Sequence, residues 1–346
     1  MEDLRKRFKA YKCFKEEDSD IFFAREEELK RLYQLAGFEQ KVLLHSPKGA
    51  GKTSLLNAGL IPLLKNSGMF NVVYFDFKNI NLQNISANEF LSKGIANIIP
   101  SISYTDVLFE GFSDFWVKLK KIQSNPDEEK SLILIFDNFE DIFLGRKDFE
   151  NDFFDIINEI NTKEIPERFK IHVENKISQN NNLLSDSGKS LLEKPIETKI
   201  VFSVCSDNVN NIFGRINFSD ELSKNSLELK YFDNNSAIKI ISKTLGFSSK
   251  YSEKNNFALD SFNIEKEKIS EIISEISVQN VLKPIDIQIL GNYFEINSES
   301  LNEKISAREI YDFQLNLFLQ NISSELINEL VNFCKSKSSE NNLWNK

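Results

Sequence analysis

The stretch KVLLHSPKGAGKTSLLNAGLIPLL, Lys41 to Leu64, constrains the fold of this chain more than any other. KVLL reads as a short buried strand, HSPKGAG as a loop of small residues, and TSLLNAGLIPLL as a helix with Pro62 late in it. Strand, loop and helix in that order are the setting a phosphate-binding loop requires. Gly49 and Gly51 allow tight turns in which backbone N–H groups face an anion, and the helix N-terminus adds partial positive charge. Ser46, Pro47, Lys48 and Ala50 complete the loop, with Ser54 just inside the helix. Lys52 can reach the β- and γ-phosphates, and the Thr53 hydroxyl can ligate Mg²⁺. The pattern GxxxxGK[ST] is met from Gly51 onward, but Ser46 stands where the first glycine belongs. Serine is tolerated there if the position needs no positive φ.

Such a loop needs an acidic partner at the end of a neighbouring strand. LILIFDNFEDIF supplies it: an apolar strand ends in Asp137, and Glu140 and Asp141 follow at once. Asp137 is expected to orient Mg²⁺, and Glu140 or Asp141 to position an attacking water. NVVYFDF (Asn71–Phe77), SLILIFD (Ser131–Asp137) and TKIVFSVC (Thr198–Cys205) are further buried strands. SANEFLSKGIANII and DFENDFFDIINEIN are helical stretches between them. Alternating strands and helices predict an α/β fold, a parallel sheet covered on both faces.

Between Ile165 and Pro195 the periodicity fails, and SQNNNLLSDSGKS reads as a surface insertion. After LELKYF (Leu227–Phe232) strand character gives way to helices, which sets a domain boundary near residue 231. The expected organisation is a helical lead-in over 1–40, a P-loop core over 41–231, a helical lid over 232–293 and a partial winged-helix region over 294–346.

Net charge is −9, from 43 basic and 52 acidic residues, which opposes non-specific nucleic-acid binding over the whole surface. The basic run Arg5, Lys6, Arg7, Lys9, Lys12 and Lys15 reads as a solvated helix face or as a contact for a partner, a membrane or nucleic acid. No apolar run approaches the roughly 20 residues of a membrane span, and no secretory h-region follows the N-terminus. Cys13, Cys205 and Cys334 are far apart, and with His45 and His172 they show no zinc spacing; a reduced cytoplasm is the expected setting.

YKCFKEEDSDIFFAREEELKRLYQL, SPKGAGKTSLLNAGLIPLL and LILIFDNFEDIF, in this order and spacing, resemble the STAND class of signalling NTPases, and most of all its bacterial novel STAND NTPase group. The resemblance covers roughly residues 11 to 330 and is strongest before residue 145. That group carries an F-x-G-R-E-x-E element, matched here by Phe22, Phe23, Ala24, Arg25 and Glu26 with Ala24 in place of glycine. Its D-Q-F-E-E motif is matched by Asp137 through Asp141. The resemblance implies an AAA+-like core with a helical lid and winged helix, bound to ADP when closed and to ATP when open and assembled. It places Arg25 near the nucleotide base and Pro284, in VLKPIDIQIL, near adenine; Pro284 also suits a plain helix start. It implies ATP or ADP with Mg²⁺ as ligands, self-association on ATP binding, and a separate sensor or effector protein.

One departure matters for chemistry. The strand that in the group ends T-x-R ends here in Ser203, Val204 and Cys205, so a thiol replaces an arginine that senses the γ-phosphate. A buried strand-end thiol and very slow hydrolysis are expected. The base is expected to be adenine, because NKIS at Asn175, the nearest string to the guanine-specifying Asn-Lys-x-Asp, lacks the aspartate. The leading function is a slow nucleotide-controlled switch. The alternatives are a nucleotide-binding scaffold with little hydrolysis and an AAA+-like ATPase acting on nucleic acid.

Overall fold

The computed structural model describes residues 5–78, 85–98, 114–123, 130–162, 164–179, 192–247, 257, 261, 263–297 and 306–321. The chain divides into two compact units, one of Cys13–Tyr231 and one of Met1–Lys12 with Phe232–Lys346.

The first unit is built on a five-stranded sheet: β1 (Lys41–Ser46), β2 (Phe70–Asp76), β3 (Ser131–Asp137), β4 (Lys199–Cys205) and β5 (Ser226–Glu228), in the order β2-β3-β4-β1-β5. All four pairings are parallel. Strands of this kind need apolar residues on both faces, and SLILIFD has them: Leu132, Leu134 and Phe136 enter one core, Ile133 and Ile135 the other. Helices α1 (Glu26–Phe38) and α2 (residues 52–66) cover the second face through Leu32, Leu55, Leu56, Leu60 and Leu64. Helices α3 (Ala87–Gly94), α4 (Phe115–Gln123), α5 (Lys147–Ile160) and α6 (Glu167–Gln179) cover the first, with the short α7 (Val209–Phe213) and α8 (Ser219–Lys224).

The first core is rich in phenylalanine just beneath the end of β3. The Phe139 ring lies 5.0 Å from Phe202, 5.2 Å from Phe77 and 5.4 Å from Phe153. Tilted and edge-on pairs like these contribute about 0.5–1.5 kcal/mol each beyond area burial, and they fix the turn that follows Asp137.

Helix α2 is not uniform. Its first turn, Lys52–Ser54, and its end, Ile61–Asn66, are α-helical, while Leu55–Leu60 is π-helical. Pro62 brings no N–H, and the wider turn before it lets the Ile61 N–H reach the Leu56 carbonyl. At Gly59 an added Cβ would stand 2.9 Å from Leu29 Cδ1, so a larger residue there would push the Leu29 side chain aside where α1 crosses α2.

Two expectations are corrected in this unit. β3 is not the neighbour of β1, because β4 is hydrogen-bonded between them. The stretch from Ile165 that lacked periodicity contains α6, held by Phe169, which is fully buried with its ring 5.3 Å from Trp116. The insertion SQNNNLLSDSGKS lies outside the described residues from 180 onward.

The second unit contains α9 (Asn234–Leu245), α10 (Lys266–Ile276), α11 (Pro284–Ile296) and α12 (Ala307–Asn321). Strand character persists slightly past Tyr231: β6 (Phe232–Asp233) pairs antiparallel with β7 (Val281–Leu282). Asp233 then caps α9 by accepting from the Ser236 N–H at 2.6 Å. Of the region expected to form a partial winged helix, residues 298–305 and 322–346 lie outside the described residues.

The basic N-terminal run is corrected as well, since no helix occupies residues 5–15. Arg7 is 1% exposed and donates to Glu295 at 2.9 Å and to the Phe247 carbonyl at 3.2 and 3.3 Å. Its guanidinium also lies 4.4 Å over the Phe257 ring. Phe8 is fully buried against Gly291, where a Cβ would meet the ring at 2.0 Å, and the Lys9 N–H donates to Gln288 Oε1 at 2.8 Å. Arg7 and Phe8 are thus core of this unit. The basic run itself gave no sign of it, because the partners lie more than 200 residues away.

Candidate nucleotide site

The loop between β1 and α2 lies at the carboxyl end of the sheet, where open α/β sheets take their ligands. Gly49 and Gly51 have φ of +82° and +97°, a region that favours glycine, and no atom lies within 4 Å of a Cβ built at Gly49. Ser46 is the last residue of β1, is fully buried, and is not among the positive-φ positions, so a side chain costs nothing there. Its hydroxyl donates to the Pro47 carbonyl at 2.8 Å and accepts from Lys52 Nζ at 3.1 Å. Pro47, Lys48 and Gly49 are exposed, Ala50 is buried, and Thr53 and Ser54 are half-buried in the first turn of α2. Ser54 Oγ accepts from the Phe14 N–H at 3.2 Å.

Asp137 is fully buried at the end of β3 and accepts two hydroxyls, from Ser203 at 2.6 Å and from Tyr74 at 2.8 Å. Burial and then the Asp137 charge push the Tyr74 phenol far above its ordinary range, so it stays a donor. Tyr74 was not anticipated; a phenol inside the apolar run NVVYFDF was the available sign. Asn138 is held at φ +50°, a conformation asparagine tolerates, and donates to Asp76 at 2.7 Å. Asp141 lies close enough to Glu140 and Asp76 that burial, followed by these like charges, raises its carboxyl.

Glu140 goes elsewhere. Its Oε2 accepts the Cys205 backbone N–H at 3.1 Å and its Oε1 the Cys205 thiol at 2.7 Å. On the other side of the sulfur stands Lys52 Nζ, at 3.7 Å. Burial first, then Glu140, pushes the thiol up to about 11, so it is neutral at pH 7. Register explains the meeting: Cys205 of β4 is paired with Ser46 of β1.

Arg25 is buried and donates to the carbonyls of Ala50 at 3.2 Å and Lys230 at 2.6 Å, with Glu28 at 2.6 Å as its ion-pair partner. In this geometry it braces the loop from behind. Tyr231 also touches the loop, its hydroxyl donating to the Lys48 carbonyl at 2.9 Å. Arg215, an arginine elsewhere on the chain, bonds Asn151 and stacks over Phe154 on α5 at 5.2 Å. Pro284 belongs to the second unit, where it is the first residue of α11.

The residues present fit a magnesium–nucleotide pair. Among the described residues no group of three or more His, Cys, Asp or Glu could hold a metal unaided. One buried carboxylate and one helix-start hydroxyl suit an ion that keeps waters and takes its other ligands from phosphate.

A parallel sheet with this loop after β1 and a buried aspartate closing β3 defines a P-loop NTPase. The family model of the novel STAND NTPase 1 group matches residues 8–244, and the chain belongs to that family. Among curated proteins nothing matches the sequence. Similar solved structures include a Walker-type ATPase of Pyrococcus abyssi, with 14% identity and a TM-score of 0.52 over 97% of this chain and 81% of that one. The ORC2 protein of Aeropyrum pernix, in ADPNP–ADP complexes, gives 12% and 0.53 over 94% and 74%. Cdc6p of Pyrobaculum aerophilum gives 15% and 0.50 over 90% and 73%. At these identities the likeness is one of fold. Among the described residues no helix is long and apolar enough to cross a membrane.

Proposed function

We propose that this protein is an ATP- and ADP-binding conformational switch that hydrolyses ATP slowly. The observation that carries the reading is the convergence of Lys52, Asp137 and Glu140 on the ends of β1, β3 and β4, around a loop whose glycines leave backbone N–H groups able to turn toward an anion. Lys52 would follow the phosphates into the helix, Thr53 and Asp137 would hold the metal with its water shell, and Glu140 would receive the proton of the attacking water. Asp141 lies beside Glu140 as a second acid. Bound Mg²⁺ would offset negative charge on the β- and γ-phosphate oxygens.

Slow turnover follows from Cys205. A neutral thiol stands beside Lys52 where the family resemblance implies an arginine, so one positive charge is missing when charge grows on the transferred group. Slow hydrolysis suits a protein that signals by which nucleotide it holds. Self-association in the ATP state and a separate sensor or effector complete the reading.

The test is the nucleotide that the protein retains through purification, released by denaturation and identified by chromatography. ADP is expected. A preparation that carries no nucleotide and shows no heat of ADP or ATP binding ends the proposal.

A further inference from the structure

We propose that Cys205 is a positioning residue that holds Glu140 in a resting orientation, so that hydrolysis waits on release of that hold. The inference rests on the reading of the site as an ATPase. Glu140 stands in the first turn after β3, and Cys205 closes β4, the strand between β3 and β1. A single residue donates to both carboxylate oxygens, through its backbone N–H at 3.1 Å and its thiol at 2.7 Å. Two donors from one anchor fix the torsions of the side chain as well as its place. A general base has to turn a lone pair to the reacting water, whereas each oxygen here presents one to β4.

The third contact says what loosens the hold. Lys52 Nζ reaches the same sulfur at 3.7 Å. An ammonium on one side of a thiol makes its S–H a better donor on the other, as linked hydrogen bonds polarise one another. When Lys52 turns from the sulfur to a phosphate, that support is withdrawn, and the S–H···O bond to Glu140 weakens. Arrival of the phosphate and release of the base are thereby joined through one sulfur atom. The backbone donor remains throughout, so Glu140 is loosened and not expelled.

The experiment uses the full chain. In Cys205→Ala, ATP affinity by calorimetry is expected to stay near the parental value. Single-turnover hydrolysis is expected to rise about three- to tenfold, the ratio that one hydrogen bond of ordinary net strength corresponds to. Cys205→Ser places an O–H donor at the same point and is expected to restore the slow rate. Glu140→Gln combined with Cys205→Ala removes the gain. A Cys205→Ala protein that binds ATP but hydrolyses it at the parental rate or slower overturns the proposal, as does absence of turnover in both. Failure of the parent to bind ATP is a different result, which removes the nucleotide reading and this inference together.

A second measurement holds even if Cys205→Ala folds poorly. With Cys13→Ser and Cys334→Ser as background, iodoacetamide reports on Cys205 alone. Adding Glu140→Ala should speed alkylation at pH 8 by about tenfold or more, because the thiol loses the carboxylate that holds its proton. An unchanged rate would mean that the thiol does not engage Glu140 in solution.

Discussion

The Ser203 hydroxyl lies 2.6 Å from Asp137 Oδ1 and ties the end of β4 to the end of β3. Both partners are fully buried, and Asp137 has Tyr74 as its other hydroxyl donor. Removing a donor from a buried carboxylate leaves part of its desolvation uncompensated, at about 1–3 kcal/mol. Ser203→Ala should therefore lower unfolding free energy by that amount in urea titration. A variant as stable as the parent would show that water or Tyr74 replaces the lost bond.

Lys52→Ala should abolish or greatly weaken ATP and ADP binding measured by calorimetry. Lys52 is 8% exposed and bonds Ser46 across the base of the loop, while Lys48 is exposed on its rim. Asp137→Ala, in contrast, should remove the Mg²⁺ dependence of binding. If Lys52→Ala bound nucleotide as tightly as the parent, the loop could not be the phosphate site.

Ala24 has φ of +60°, a backbone conformation in which a Cβ is strained. The family element has glycine there, and the structure gives the reason. Ala24→Gly should raise stability by up to about 1 kcal/mol, with part of the gain offset by the greater entropy of an unfolded glycine. Thermal unfolding of the two proteins would measure it, and a lower Tm for the glycine variant would refute the strain.

Cys205 also sets a pH dependence. Its thiol has an ordinary value of 9.0 and is raised to about 11 in the fold, by burial first and Glu140 next. The folded protein thus keeps a proton that the unfolded chain has lost in this interval. The stabilising contribution is complete below pH 9.0 and disappears as pH rises through about 11. Urea midpoints of the parent should fall more steeply across that window than those of Cys205→Ala. Parallel slopes would mean that the thiol is not held protonated.

Much of the first unit is legible in the sequence because its strands are apolar on both faces; SLILIFD coincides with β3 residue for residue. The loop is legible because glycine, lysine and threonine have few other reasons to occur at that spacing. Strand order is not: nothing within TKIVFSVC says that it lies between β1 and β3, since that is settled by packing of the crossover helices. The partners of Asp137 and Glu140 were hidden for the same reason. Helix α6 was obscured by a polar surface, with Phe169 its main anchor. Cys205 is the instructive case. A buried thiol was legible, but its contacts with Lys52 and Glu140 were not. They alter what an arginine there would do, since C205R would set a guanidinium between an ammonium and a carboxylate.

Arg7 and Phe8 are core of a unit whose remainder begins at Phe232. On the ribosome the chain's first segment therefore emerges long before its partners exist. Arg7 and Phe8 must wait for Glu295 and Gly291, at separations that make loop closure slow. During that wait the Cys13–Tyr231 unit can complete its own sheet, because every strand of that sheet lies within it. Assembly thus has a built-in order, in which the second unit, drawn from two distant parts of the chain, completes its own core last.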